Sequence, residues 1–177
     1  MTRNLLDSCR ILAATVILQI FFYFSRSAAL SYIFFTAVLV FFRKELNLIC
    51  DLEKPFSFKR VMIYVPLFIV LSVILSLLFP QAQSPMIEKN FINAFLITML
   101  GPFYEELFFR KLLPTAFGKY SAPVISSLIF GLFHGIDRFI PAFFAGLVLY
   151  FIYKESDDIK IPFIVHSTNN IMAYVFM

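Results

Sequence analysis

The chain is a succession of long, continuous apolar runs broken by charge or proline, and that pattern leaves it few ways to fold. Uninterrupted runs do not alternate as barrel strands do, so they read as helices. About seven are expected, over 9–24, 28–42, 60–79, 91–117, 122–136, 139–153 and 161–176. Of the 177 residues, 60% are hydrophobic and 15% charged. Soluble domains average about 45–50% and about 25%. The expectation is therefore an all-α, polytopic transmembrane helical bundle forming a single membrane domain over 1–177. Several runs fall short of the ~20 residues that cross a bilayer upright, so some helices are expected to be partial or strongly enclosed spans.

Arg3 and Arg10 precede the apolar run 11–24 as in a signal peptide. Yet Ser25-Arg26-Ser27-Ala28-Ala29 puts a charge where a cleavage site wants small residues, and a second apolar run follows at once. The segment is expected to stay as the first transmembrane helix. With the N-terminus in the cytoplasm, inside segments hold Arg3, Arg10, Arg43, Lys44, Lys54, Lys59, Arg60, Arg110, Lys111, Lys119, Lys154 and Lys160. Outside segments hold only Arg26, Lys89 and Arg138. That imbalance is the positive-inside pattern, and it places the C-terminus outside. The longest polar connection, 43–60, is expected to be a cytoplasmic loop, partly amphipathic at the interface. Segment 80–90, with Pro80 and Pro85, reads as an external turn. No basic run carries interleaved aromatics, so nucleic acid is not an expected partner. Cys9 and Cys50 are too few for a disulfide framework and lack metal-ligand spacing.

Against this background Glu105 and Glu106 stand out. An ionised carboxylate at membrane depth costs roughly 2.5–3.5 kcal/mol on insertion scales, so a fold keeps one when it is paired or does chemistry. The only two histidines, His134 and His166, also lie in apolar segments. Residues four apart share a helix face, so Glu106 is expected to pair with Arg110, and His166 to act alongside Asn170. Glu105 points about 100° away from Glu106 and is left without that partner. If 105–117 and 122–134 are antiparallel, Glu105 and His134 both stand ~20 Å above the turn 118–121. With His166 one to two turns beyond Lys160, the set is expected to converge just inside the cytoplasmic side, around a wet cavity. Phe103, Tyr104, Phe108 and Phe109 read as packing, and Thr168 and Asn169 as helix contacts.

A carboxylate in an apolar, partly wet cavity can act as general base on water. A neighbouring histidine can orient that water, and a His/Asn pair can donate hydrogen bonds to an oxyanion as an amide is attacked. The same residues admit another reading, in which Glu105, His134 and His166 hold a zinc ion with water in the open position. Two non-catalytic readings also remain: a membrane protein conferring bacteriocin immunity by binding, or a proton-coupled transporter.

Glu105-Glu106-Leu-Phe-Phe-Arg110, Phe130-Gly-Leu-Phe-His134 and His166-Ser-Thr-Asn-Asn170, in that order on successive membrane helices, resemble the three motifs of the CAAX protease and bacteriocin-processing family. That family includes the Ras-converting CAAX endopeptidase, and its members are intramembrane glutamic proteases. The resemblance covers about 101–170. It implies that Glu105 activates water, that His134 assists, that His166 and Asn170 stabilise the oxyanion, and that no cofactor is needed. The expected substrate is a peptide or a membrane-associated protein segment entering from the cytoplasmic side, and the short length and lack of eukaryotic sorting signals suit a bacterial cytoplasmic membrane. Lys111 stands where relatives often carry Gly, and the chain ends seven residues after Asn170, so a final helix of larger relatives is expected to be missing. The first 90 residues carry no motif of the family.

Overall fold

The structure, a computed structural model, describes residues 5–24, 28–46, 53–80 and 89–176. Helices α1 (Leu5–Phe24) and α2 (Ala28–Phe41) are followed by a single turn, α3 (Arg43–Leu46), and by α4 (Phe58–Leu78). A composite helix, α5, runs over 91–116. Then come α6 (Ala122–Phe133), a 3₁₀ turn (Ile136–Arg138), α7 (Phe139–Ser156) and α8 (Lys160–Phe176). No strand occurs among the described residues. The all-helical expectation holds, with three differences. The first helix begins at Leu5 rather than 9, a short α3 breaks the polar connection 43–60, and α5 is not uniform. Residues 47–52 of that connection, and most of the expected turn 80–90, lie outside the described residues.

α5 changes pitch four times. Phe91–Phe95 is α-helical, Leu96–Leu100 is π, Gly101–Glu106 is α, Leu107–Leu112 is π and Leu113–Ala116 is 3₁₀. The helix starts where Asn90 Oδ1 accepts the Asn93 amide at 2.9 Å, an N-cap bond. It tightens and stops at Leu113-Pro114, because proline has no N–H to continue the ladder. Single π turns inside α-helices are rare and frequently accompany functional sites.

Three helical spans are long and apolar enough to cross a membrane, Leu5–Phe22, Phe58–Leu78 and Ile136–Ser156, with shorter apolar helices at Leu30–Phe41 and Ala122–Phe133. Lipid exerts no hydrophobic drive toward the interior, and the burial pattern reflects this. Leu67, Val70, Ile74 and Leu77 of α4 face outward, while Glu106, Arg110, Ser126, Ser127, Asp158 and His166 are buried. Among the buried residues Phe35, Phe108, Phe109 and Phe130 form a chain of edge-to-face rings with centroids 5.1–5.5 Å apart. Phe108 and Phe109 are therefore packing residues.

α6 and α7 meet through small side chains, as membrane helices do. A Cβ at Gly146 would stand 3.1 Å from Phe130 Cδ1 and 3.3 Å from Ser127 Cα, too close for either to yield freely. Gly146→Leu is expected to cost about 1–3 kcal/mol by overpacking. A thermal melt in detergent checks this, and an unchanged midpoint would show that the α6–α7 contact tolerates bulk. The chain reverses between the two helices at Gly135, whose φ of 84° suits glycine and few other residues.

At the other end of α7, polar contacts tie the α7–α8 turn to the start of α4. Lys54 Nζ lies 3.1 Å from Asp157 Oδ2, Arg60 Nη1 donates to Ser156 O at 3.1 Å, and Tyr64 Oη donates to Glu155 Oε2 at 2.6 Å. Lys160 Nζ donates to Lys54 O at 2.6 Å. These two connections, which the charge count assigned to one side of the membrane, do share one end of the bundle. One of the charges counted there is not a loop charge at all, since Arg110 is fully buried.

Candidate active site

Glu105 and Glu106 occupy the short α segment of α5 between its two π turns, and their environments differ sharply. Glu106 is completely buried. Its Oε2 accepts from Arg110 Nε at 2.9 Å and its Oε1 from Arg110 Nη2 at 3.4 Å, a two-pronged pair across one helical turn. Oε1 also lies 2.9 Å from His166 Nδ1, a contact between residues 60 apart in sequence. Because an arginine-bound carboxylate only accepts, His166 donates from Nδ1, and that fixes its neutral tautomer with a lone pair on Nε2. Nε2 lies 3.8 Å from Glu105 Oε2. That carboxylate oxygen is buried and has no hydrogen-bond partner, although the Glu105 side chain as a whole is 27% exposed.

The remaining residues are placed by their own helices. His134 follows the last residue of α6, and its Nδ1 bonds Phe130 O at 2.9 Å; a carbonyl accepts, so Nδ1 carries the proton and Nε2 is left as an acceptor. Asn170 donates one amide hydrogen from Nδ2 to Ile97 O at 3.0 Å, in the first π turn of α5, which leaves its second amide hydrogen for another acceptor. His134, His166 and Asn170 line a cavity of about 500 Å³. Glu105 does not line it and reaches the group through His166.

The cavity extends along the bundle beyond these residues. Its walls include Ser72 and Ser76 of α4, Arg138, and Met172 of α8, so it extends away from the end that holds Lys54, Arg60 and Lys160. His166 itself stands six residues, or ~9 Å, along α8 from Lys160 at that end.

Three features escaped sequence reasoning. The Glu106–His166 bond is tertiary and has no local signature. Phe130 acts as a hub, with the Arg110 guanidinium 4.8 Å over its ring and the His134 and His166 rings at 4.4 and 6.0 Å. Asn169, expected to be a helix contact, lines the cavity, as does the C-terminal half of α4, which has no motif. The Phe-x-x-x-His spacing was the only available sign of the Phe130 role.

Among the described residues, no three His, Cys, Asp or Glu side chains gather closely enough to hold a metal ion.

The family described as type II CAAX prenyl endopeptidase Rce1-like matches residues 87–172, a stretch that contains Glu105, Glu106, Arg110, His134, His166 and Asn170. The match takes in 86 of the 177 residues, just under half of the chain. Among curated proteins, the membrane-embedded CAAX protease MroQ of Staphylococcus aureus (strain USA300) is similar to this chain, with 31% identity over 142 residues, 68% of this chain and 55% of MroQ. The chain thus spans about half the length of that relative. No solved structure matches. The Rce1-like match and the apolar helices together make this a helical membrane protein.

Proposed function

We propose that the chain is an intramembrane endopeptidase that hydrolyses a peptide bond with a water activated by Glu105. The observation that carries this reading is the buried, unpartnered Glu105 Oε2 facing His166 Nε2 at 3.8 Å. A separation of that size suits one water that donates a hydrogen to each atom. Glu105 takes a proton from this water, the oxygen attacks the carbonyl carbon, and the new oxyanion accepts the free amide hydrogen of Asn170. When the C–N bond breaks, protonated Glu105 returns the proton to the leaving amine. His134 borders the same cavity and steadies the water or substrate through Nε2. His166, neutral with its lone pair on Nε2, aligns the water, and the oxyanion is served by Asn170. Glu106 and Arg110 hold His166 in place. No step passes through a metal.

The substrate is a peptide or a membrane-associated protein segment, and the setting is a bacterial cytoplasmic membrane with the N-terminus inside. The Rce1-like family match and the bacterial relative named as a membrane-embedded protease support the substrate class and the membrane, and the excess of Lys and Arg in the expected inside segments supports the orientation.

N-terminal peptide profiling of membranes, comparing wild type with Glu105→Gln and with and without a chelator, tests the proposal. New termini are expected with wild type alone, and chelator is expected to leave them unchanged. Identical termini in both membranes would favour a binding or immunity role instead. Loss on chelation would return the metal reading.

A further inference from the structure

We infer that Pro102 is a positioning residue: by withholding a backbone N–H it leaves Ile97 O to Asn170, and so aims the carboxamide that serves the oxyanion. This rests on the endopeptidase reading above. In α pitch, Ile97 O would receive the N–H of Gly101, four residues on. That N–H goes instead to Leu96 O, five residues back, and closes the first π turn of α5. In π pitch, Ile97 O would receive the N–H of residue 102, which is proline and has none. Neither helical donor therefore reaches Ile97 O. Pro102 is buried, and a carbonyl at membrane depth needs a partner from elsewhere in the protein. Asn170 Nδ2, on α8, supplies it at 3.0 Å.

The same turn is held from a second helix. Tyr32 Oη of α2 donates to Leu96 O at 3.1 Å, beside the Gly101 N–H that the carbonyl already accepts. A Cβ at Gly101 would stand 3.0 Å from Tyr32 Oη and 3.1 Å from Leu96 O, so glycine is what lets α2 come this near. Thus α2 and α8 fasten on adjacent carbonyls of one π turn. With Leu96 O held by Tyr32, the direction of Ile97 O is held too. One amide hydrogen of Asn170 is committed to that carbonyl, and the other lies in the same rigid plane on a side chain that lines the cavity.

A double-mutant cycle of Pro102→Ala and Asn170→Ala in the full chain tests this with two readouts. In detergent, Asn170→Ala alone is expected to lower the melting midpoint by about 2–4 °C, because Ile97 O loses its donor. In the Pro102→Ala background the shift is expected to shrink to within about 1 °C, since residue 102 then carries an N–H. Equal shifts in both backgrounds would overturn the assignment and mark Pro102 as packing only. In membranes, N-terminal profiling follows the termini that Glu105→Gln abolishes. Pro102→Ala is expected to reduce them about tenfold or more, and by no more than about twofold once Asn170 is already alanine. Wild-type yield in Pro102→Ala, or equal losses in both backgrounds, would also overturn it. Pro102→Val, which keeps most of the ring's bulk and adds the N–H, is expected to match Pro102→Ala in both readouts. A wild-type result with valine would trace the effect to volume and sink the inference. If Glu105→Gln abolishes no termini, the endopeptidase reading fails, and the melting cycle alone decides whether Pro102 aims Asn170.

Discussion

Glu105→Gln is expected to lower cleavage by roughly 10²–10⁴-fold, the usual worth of a positioned general base. The amide keeps the shape of the side chain and loses only its basicity. Stability should not fall, because Glu105 Oε2 makes no hydrogen bond that the substitution would orphan. Removing a carboxylate held without a direct partner at membrane depth should instead leave the melting point unchanged or raise it. A variant that is inactive yet folds as well as wild type is the signature of a residue retained for chemistry. Wild-type turnover by Glu105→Gln would sink the assignment, and a large loss of stability would move Glu105 into the structural set.

Arg110→Met carries the second large effect, and it acts in the opposite sense. Both members of the Arg110–Glu106 pair are fully buried. Removing one partner leaves an uncompensated charge, which costs about 3–5 kcal/mol. Methionine roughly preserves the bulk over the Phe130 ring, so the loss reports charge more than volume. The double variant Glu106→Gln, Arg110→Met is expected to recover much of that stability, since neither charge is then stranded. It should not recover activity, because His166 Nδ1 would face an amide in place of a carboxylate. Arg110→Lys should restore little, as a single ammonium cannot reproduce the two-pronged contact. Thermal unfolding in detergent, read with the cleavage assay, separates these outcomes. Additive melting shifts in the double variant would show that the pair is not coupled.

What the sequence made legible follows a physical rule: contacts within a helical turn can be counted, and contacts between helices cannot. The step from Glu106 to Arg110 is one turn, and the pair forms. The apolar runs are continuous, and the described residues are helical. His166, by contrast, meets Glu106 only because α8 packs beside α5, and no spacing announces that. Asn170 shares a face with His166, yet one of its amide hydrogens goes to Ile97 O, a target set by tertiary placement. Arg110 was counted as a loop cation because charge statistics do not see burial.

The pitch changes in α5 carry a consequence for how such a chain can vary over time. Each π turn accommodates one surplus residue, and one residue is worth about 100° of rotation on an α-helix. The acidic pair thus sits on a short dial between two offsets, Leu96–Leu100 and Leu107–Leu112. Deleting a single residue from either offset would let the ladder relax to ordinary α pitch and swing Glu105 and Glu106 relative to the helix end beyond it. Losing one residue from 107–109 would shorten the Glu106–Arg110 step from four residues to three, while losing one from 98–100 would rotate Ile97 relative to Glu105 and Glu106. Substitutions are the changes α5 can absorb; its length between Asn90 and Pro114 behaves as a fixed combination.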